Sequence, residues 1–169
     1  MKTYLSLINI AMGKKILVFG ANGMLGSYLS NYFKKKGYVV IKSDMFDDAE
    51  KGIYGKDITN EKELKDFVHE QNPDYIINCA AYTNVNKAES EPEIANAVNA
   101  TAPKYMAEVA KELKIPFLHV STNEVFGDGA YDEYSREFNP LNEYAKSKRR
   151  GEEYIENVDG ANYIFRTSW

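Results

Sequence analysis

The sequence predicts an α/β protein with a doubly wound parallel sheet. Two observations favour this fold class. Short apolar runs alternate with segments whose apolar residues recur at helical spacing. The apolar runs are also nearly continuous, as expected for parallel strands buried on both faces. A chain of 169 residues is long enough for one such domain and short for two.

The first half of the chain is predicted to hold three strands and two helices. The strands are the runs KKILVFG, YVVIKSD and YIINCAA, and the helices are GMLGSYLSNYFKKKG and EKELKDFVHEQN. Gly37 ends the first helix. Asn60 and Glu63 offer a capping box for the second, which Pro73 ends.

The second half continues the alternation. Ser90 and Glu93 predict a capping box for the next helix, with Pro92 in its first turn, and Pro103 is expected to interrupt or restart that helix. A strand IPFLHVST, a long helix over 141–157 and a final strand NYIFRTSW follow. The polar connection FGDGAYDEYSREFNPLN is long, and loops of this length are often functional.

Composition and charge limit the partners. The formal net charge of −4 argues against a nucleic acid or an anionic membrane surface as the main partner, and no apolar run reaches membrane-spanning length. The single cysteine, Cys79, cannot form an internal disulfide, so a cytoplasmic location is expected. His69 and His119 have no ligand partners at diagnostic spacing, so no metal site is predicted.

The organisation predicted from these patterns is simple. Residues 1–13 form an N-terminal extension, and residues 14–169 form one nucleotide-binding domain of the Rossmann type. An open sheet edge would favour association into a homo-oligomer, or instability, although the sequence alone does not set the oligomeric state.

A glycine-rich turn follows the first strand. Gly20, Gly23 and Gly26 stand at the junction of strand and helix, where glycine permits a tight turn, close approach to a pyrophosphate and close packing of the helix. Met24 and Leu25 begin the helix, whose free N–H groups and positive dipole end favour phosphate. These residues predict a dinucleotide site, and the alternative is a purely structural turn.

Two acidic positions bear on the identity of the cofactor. Asp44 ends the second strand, 24 residues after Gly20, where a carboxylate would bond an adenosine ribose and repel a 2′-phosphate. Asp44 therefore favours NADH over NADPH, although Lys42 nearby weakens that preference. The alternative role for Asp44 is that of a turn residue. Asp57, followed by Ile58, is expected near the adenine, or at a helix entry.

The helix over 141–157 contains the pattern YxxxK. Tyr144 and Lys148 are four residues apart and therefore share one helix face. For an isolated pair the ordinary reading is a surface position. The other motifs of the chain decide between that reading and a catalytic one.

The glycine turn, NCAAYTNVNKAESEPEIANAVNATAP, HVSTNEVF, the YxxxK helix and FRTSW occur in this order. With these motifs the chain resembles the dTDP-4-dehydrorhamnose reductases, which are extended short-chain dehydrogenase/reductases. The resemblance runs from about Lys14 to Trp169. Members of that family continue past this tryptophan for on the order of a hundred residues, which supply most of the sugar-binding domain, so the resemblance implies that this domain is absent here.

The resemblance implies catalytic roles for three residues. Tyr144 would protonate the ketone oxygen, Lys148 would lower the pKa of Tyr144 and bind the nicotinamide ribose, and Thr122 would bond the carbonyl oxygen. The cofactor would be NADPH or NADH. Ala80, Ala81 and Tyr82 match cofactor-binding positions, and Asn99 matches an asparagine at a strand-to-helix junction beside them.

The substrate side departs from the family pattern. The resemblance places Asn123, Glu124 and Trp169 at the sugar nucleotide, but the family usually has aspartate and tyrosine where this chain has Asn123 and Glu124. A carboxylate at 124 would repel a nucleotide diphosphate. The substrate could therefore differ from dTDP-4-dehydrorhamnose.

The implied activity is NAD(P)H-dependent reduction of the 4-keto group of a dTDP-linked 6-deoxy sugar, a step of dTDP-rhamnose and polysaccharide biosynthesis. The partner would be a nucleotide-sugar substrate. Two alternatives stay open: a nucleotide-sugar epimerase or dehydratase, and a non-catalytic NAD(P)-binding regulatory module.

Overall fold

The computed structural model describes residues 13–132 and 134–168. Nearly all of the predicted extension, residues 1–12, and Trp169 lie outside the described residues. Six strands form one parallel sheet in the order β3-β2-β1-β4-β5-β6. They are β1 (Lys15–Phe19), β2 (Val39–Asp44), β3 (Ile53–Gly55), β4 (Tyr75–Asn78), β5 (Phe117–Thr122) and β6 (Asn162–Thr167). The doubly wound parallel sheet is confirmed.

The helices are α1 (Met24–Lys35), α2 (Glu61–Gln71), α3 (Val85–Ser90), α4 (Pro92–Asn96), α5 (Ala102–Leu113) and α6 (Glu143–Glu156). Asn60 caps α2 as predicted, since its side-chain oxygen accepts from the Glu63 N–H at 3.1 Å. Glu63 lies 3.6 Å from the Lys56 ammonium. Asn142 caps α6 by accepting from the Ala145 N–H at 2.7 Å.

The region between β4 and β5 differs from the prediction. Asn84, not Ser90, provides the first cap, because it accepts from the Lys87 N–H at 3.0 Å and starts α3 at Val85. Ser90 ends α3 and donates to the Lys87 carbonyl. The predicted capping box of Ser90 and Glu93 is therefore wrong.

Pro103 does not break the following helix. A π-helical turn, Ala97–Thr101, joins α4 to α5, and Pro103 lies in the first turn of α5. A π-helical turn changes the spacing of backbone hydrogen bonds, and the missing N–H of a proline is tolerated in a first turn. The predicted interruption thus takes the form of a change in helix type.

The core lies on both faces of the sheet because alternate residues of β1 point to opposite sides. Leu17 and Phe19 pack with residues of α2 and α5, while Ile16 and Val18 pack with residues of α1. This arrangement fixes the sheet between two helical layers, with the carboxyl ends of the strands at one edge.

One part of the sheet has an exposed apolar face. Leu118 and Val120 of β5 pair in register with Tyr163 and Phe165 of β6. Tyr163 and Phe165 are each 52% exposed. We call these four residues the β5–β6 face.

Candidate active site

The glycine-rich turn is as tight as the sequence predicts. Gly20 has a φ of +72°, and a side chain there would bring its Cβ to 2.5 Å from the Ala80 nitrogen. A Cβ at Gly26 would overlap the Gly20 carbonyl oxygen. The turn therefore packs directly against the chain that follows β4, and α1 begins at Met24 without an acidic residue in its first turn.

A cavity of about 700 Å³ opens at this turn, at the carboxyl ends of β1 and β4. The reversal of strand order on either side of β1 makes this the expected ligand crevice of such a sheet. Nearly all the predicted cofactor residues line it: Gly20, Gly23, Met24, Leu25, Gly26, Asp44, Asp57, Ile58, Ala80, Ala81, Tyr82, Tyr144 and Lys148. The fold thus brings together residues more than 120 positions apart.

Asn99 is the exception. Its side chain is buried, accepts from the Tyr82 N–H at 2.8 Å and donates to the Tyr82 carbonyl at 3.0 Å. It also donates to the Ser147 hydroxyl on α6 at 3.0 Å. Asn99 therefore holds the loop after β4 against α6 and lies behind the cavity wall, not in it.

Asp44 is held rigidly at the end of β2. One carboxylate oxygen accepts from the Asn22 N–H and the other from the Met45 N–H, each at 2.8 Å. Lys42 lies outside the cavity lining, and its ammonium donates to the Lys51 carbonyl. The carboxylate thus stands at the cavity without a lysine partner from its own strand.

Asp57 lies at the entry to α2, as one of its two predicted roles requires, and its position near the adenine stays a prediction. It borders the cavity, and one of its oxygens accepts from the Thr59 N–H at 2.9 Å and from the Thr59 hydroxyl at 2.6 Å. The aspartate therefore shapes the turn that enters α2 at the border of the cavity.

Tyr144 lies in the first turn of α6 at the opposite wall. Its side chain is 9% exposed. Burial raises the pKa of the Tyr144 hydroxyl; a hydrogen bond from Thr122 lowers it, and the Glu124 carboxylate raises it. The tyrosine is therefore a protonated donor at neutral pH, with Thr122 beside it.

Lys148 lies one helical turn after Tyr144, and groups of β5 hold its side chain. Its ammonium nitrogen lies 2.7 Å from the Val120 carbonyl oxygen and 3.2 Å from Nε2 of His119. The roles that the resemblance gives to Lys148, lowering the pKa of Tyr144 and binding the nicotinamide ribose, stay predictions. Burial lowers the pKa of Lys148 itself to about 8.

The structure describes three of the four residues predicted to contact the substrate. Thr122 ends β5, and its hydroxyl accepts from the Glu124 N–H at 3.2 Å. Asn123 and Glu124 form a short 3₁₀ turn, and the Asn123 amide donates to the Tyr131 hydroxyl in the long polar loop. Trp169 lies outside the described residues.

Ser121 was not predicted as a site residue. It borders the cavity, and within the described part of the chain its buried hydroxyl has no hydrogen-bond partner. Such a group calls for a ligand or a water molecule. Its position directly before Thr122 is the only sequence signal that could have identified it.

A buried carboxylate supports the same wall from behind. Glu152 is fully buried, and its oxygens lie 3.0 Å from Arg149 Nη1 and 2.9 Å from both Nε and Nη2 of Arg166. The Arg149 guanidinium lies 3.7 Å from the centre of the Phe138 ring, and Phe138 stacks on Phe126. This network fastens the long polar loop to α6 and β6.

Across residues 13–132 and 134–168, no group of three or more His, Cys, Asp or Glu side chains is arranged to hold a metal ion. None of the helices found there is long and apolar enough to cross a membrane.

Comparisons with known proteins agree with this geometry. The family model described as RmlD substrate binding domain matches residues 14–169. A probable low-salt glycan biosynthesis reductase, Agl14, from Haloferax volcanii is 39% identical over 90% of this chain and 52% of that protein. A dTDP-4-dehydrorhamnose reductase from Mycolicibacterium smegmatis is 37% identical over 94% of this chain and 46% of that protein.

Solved structures give the same answer. A dTDP-4-dehydrorhamnose reductase from Bacillus anthracis in complex with NADP superposes with a TM-score of 0.82 and 32% identity, over 94% of this chain and 55% of that one. The corresponding enzyme of Clostridium acetobutylicum gives 0.81 and 35%, over 92% and 53%. The chain spans about half the length of the relatives it matches.

Proposed function

The chain belongs to the RmlD substrate binding domain family, and from that membership we propose that the protein reduces the 4-keto group of a dTDP-linked 6-deoxy sugar. The observation that carries the proposal is the placement of Tyr144, Lys148 and the glycine turn around one cavity. The names of the relatives support the substrate class. The complex of one relative with NADP supports the cofactor class.

The cavity fits a nicotinamide dinucleotide. Glycines 20 and 26 leave a backbone cradle that any Cβ would fill, and the N-terminus of α1 adjoins it to receive the pyrophosphate. Asp44 would bond the adenosine ribose, and the Ser121 hydroxyl offers a polar partner that the protein itself leaves free among the described residues. When bound, the reduced nicotinamide supplies a hydride.

The protein's own residues handle the proton. As negative charge develops on the ketone oxygen, the Tyr144 hydroxyl donates its proton to that oxygen. The Thr122 hydroxyl beside it bonds the same oxygen and fixes its position. The raised pKa of Tyr144 keeps this hydroxyl protonated at neutral pH, which is the form that reduction of a ketone requires.

Glu124 bears on the choice of substrate. Its carboxylate is close enough to Tyr144 to raise the pKa of that hydroxyl, and it would repel a second anion near the reacting carbonyl. We therefore propose a sugar with hydroxyl groups, not a carboxylate, next to the ketone.

The experiment is an assay of the protein as its own cells make it, with a dTDP-4-keto-6-deoxy sugar and NADH or NADPH. We expect net loss of reduced cofactor, and a fall of about 100-fold or more in kcat/KM for Tyr144→Phe. Tyr134→Phe, in the exposed loop, is the matched control. Product formation without net loss of cofactor would indicate an epimerase or dehydratase, and cofactor binding without turnover would indicate a regulatory module.

A further inference from the structure

A row of buried polar groups lies behind the cavity wall. Asn78 of β4, His119 of β5 and Lys148 of α6 are all at most 1% exposed. The Asn78 amide nitrogen lies 3.1 Å from Nδ1 of His119, and Nε2 of His119 lies 3.2 Å from the Lys148 nitrogen. At one end Asn78 accepts from the Ala80 N–H at 2.9 Å, and at the other Lys148 reaches the Val120 carbonyl.

The donors and acceptors of this row can be counted. The Ala80 N–H requires the amide oxygen of Asn78, so the amide NH₂ faces Nδ1 of His119 and needs a lone pair there. A neutral imidazole then carries its hydrogen on Nε2, pointing at Lys148. Only a neutral amine can accept that hydrogen, so every bond is satisfied when Lys148 is uncharged.

When Lys148 is charged, these hydrogen bonds cannot all form. An ammonium needs a lone pair on Nε2, which moves the imidazole hydrogen to Nδ1, where it meets the Asn78 NH₂. Turning the Asn78 amide over would instead set its NH₂ against the Ala80 N–H. A doubly protonated His119 would face donors on both sides. Each arrangement leaves opposed donors in a buried site, which is costly.

The other charged and titratable groups around Lys148 do not reverse this preference. Burial lowers the pKa of Lys148, whereas Glu152 on its own helix and Cys79 after β4 act to raise it. Glu152 is already paired with Arg149 and Arg166. Burial also holds the pKa of His119 well below its usual range, with the Lys148 charge acting in the same direction.

We propose that Asn78 and His119 are positioning residues that couple the charge of Lys148 to the tautomer of His119. With Lys148 neutral, His119 Nε2–H donates to the amine. When the pair gains one proton from solvent, Lys148 becomes an ammonium and the single imidazole hydrogen moves to Nδ1. The tautomer of the buried His119 thus follows the charge of Lys148, and it also influences that charge.

The consequence for the site rests on the proposed function. An ammonium is the form of Lys148 that would bond ribose hydroxyls and favour a tyrosine anion. A bound cofactor, which brings negative charge and new acceptors, would draw Lys148 toward that form. Binding of the reduced cofactor near pH 8 should therefore take up a proton.

The direct test is long-range ¹H–¹⁵N NMR of the full chain through a pH titration, which shows the ring nitrogen that carries the hydrogen. His69→Gln leaves His119 as the only histidine and assigns its signals. We expect the Nε2–H form of His119 at pH values above the pKa of Lys148. As the pH falls through the range in which Lys148 gains its proton, we expect a shift toward the Nδ1–H form. An Nδ1–H form at high pH, or a tautomer that is constant through the lysine transition, would overturn the proposal.

A variant tests the coupling from the other side. Asn78→Asp keeps an acceptor for the Ala80 N–H and presents a second oxygen to His119 Nδ1, which should fix the Nδ1–H form and raise the midpoint of the Lys148 titration by about one pH unit or more. An unchanged midpoint and tautomer would contradict the coupling. If this variant does not fold, the titration of His69→Gln still decides.

Calorimetry separates this inference from the proposed function. NADH binding is measured near pH 8 in buffers of different ionisation enthalpy, which gives the number of protons taken up. Binding without proton uptake would remove the consequence for the site and leave the proposed function standing. Failure to bind NADH would count against the proposed function, while the NMR result would still judge the coupling.

Discussion

Gly26 shows how little space the glycine turn leaves. A Cβ at this position would overlap the Gly20 carbonyl oxygen, so Gly26→Ala must move α1 away from β1. We expect this substitution to weaken NADH binding by about tenfold or more, because the phosphate cradle opens. Fluorescence titration of NADH measures the effect. Gly160→Ala is the control, since its Cβ would meet the nearest atom at 3.5 Å; equal affinities would contradict the cradle.

Asp44 should determine the choice between the two cofactors. Two backbone N–H groups bond its carboxylate and hold its negative charge at the cavity, where we expect a 2′-phosphate to be repelled. We expect Asp44→Ala to raise the affinity for NADPH relative to NADH by about tenfold, roughly 1.4 kcal/mol. Parallel titrations with both cofactors give the ratio, and Asp159→Ala serves as an exposed control. An unchanged ratio would show that Asp44 has only its turn role.

The residue types and positions of the site were largely predictable, but their connections were not. The glycine turn, Asp44 and the YxxxK pair each have a local pattern that indicates their chemistry. The link between Lys148 and His119 depends on how α6 packs on β5, which no local pattern contains. The same holds for Ser121, whose hydroxyl becomes notable only once the structure gives it no partner among the described residues.

At the scale of elements, α6 depends on the carboxylate of Glu152, whose burial the sequence does not predict. Glu152 stands in a charged run that suggests a solvated face, yet it is buried between Arg149 and Arg166. We expect Glu152→Gln to lower the free energy of unfolding by about 3 kcal/mol, because Arg166 loses its buried counter-charge and Arg149 loses one of its carboxylate partners. Urea unfolding measures the loss.

Glu153→Gln provides the matched control for that substitution. Its side chain is 52% exposed and lies 3.4 Å from Arg149 Nε, so the change should be within about 0.5 kcal/mol. Similar losses for the two variants would mean that burial of the carboxylate is not the cause.

The elements that sequence analysis missed share a physical reason. The three residues of β3, Ile53–Gly55, lie between Gly52 and Lys56 and are too few to show a period. The π-helical turn Ala97–Thr101 has no sequence pattern that indicates its hydrogen-bond spacing, and the packing around it sets its geometry. Its Asn99 carbonyl lies where a Cβ at Gly151 of α6 would stand. Tertiary contact, and not local preference, decides both.

At the scale of the whole molecule, the β5–β6 face departs from the usual burial of a doubly wound sheet. Tyr163 and Phe165 are half exposed beside Leu118 and Val120, and contiguous apolar surface of this kind promotes association. We expect this chain to self-associate with rising concentration, and Phe165→Lys to reduce that association. Sedimentation velocity measures both.

Tyr134→Lys is the control for the association experiment. Tyr134 is 77% exposed but lies in the polar loop, so a lysine there adds the same charge outside the four residues of the face. If both variants reduce association equally, net charge and not the β5–β6 face is responsible.

The strand order has a consequence for the abundance of the folded protein. Because β1 and β4 are neighbours, the backbone of Gly20 lies directly against that of Ala80. A dinucleotide in the crevice would therefore contact the parts of the chain before and after β4. A ligand that binds only the folded chain adds about 2.7 kcal/mol to its stability at a hundred times its dissociation constant. The abundance of the protein in a growing cell should then follow the supply of nicotinamide nucleotide by mass action.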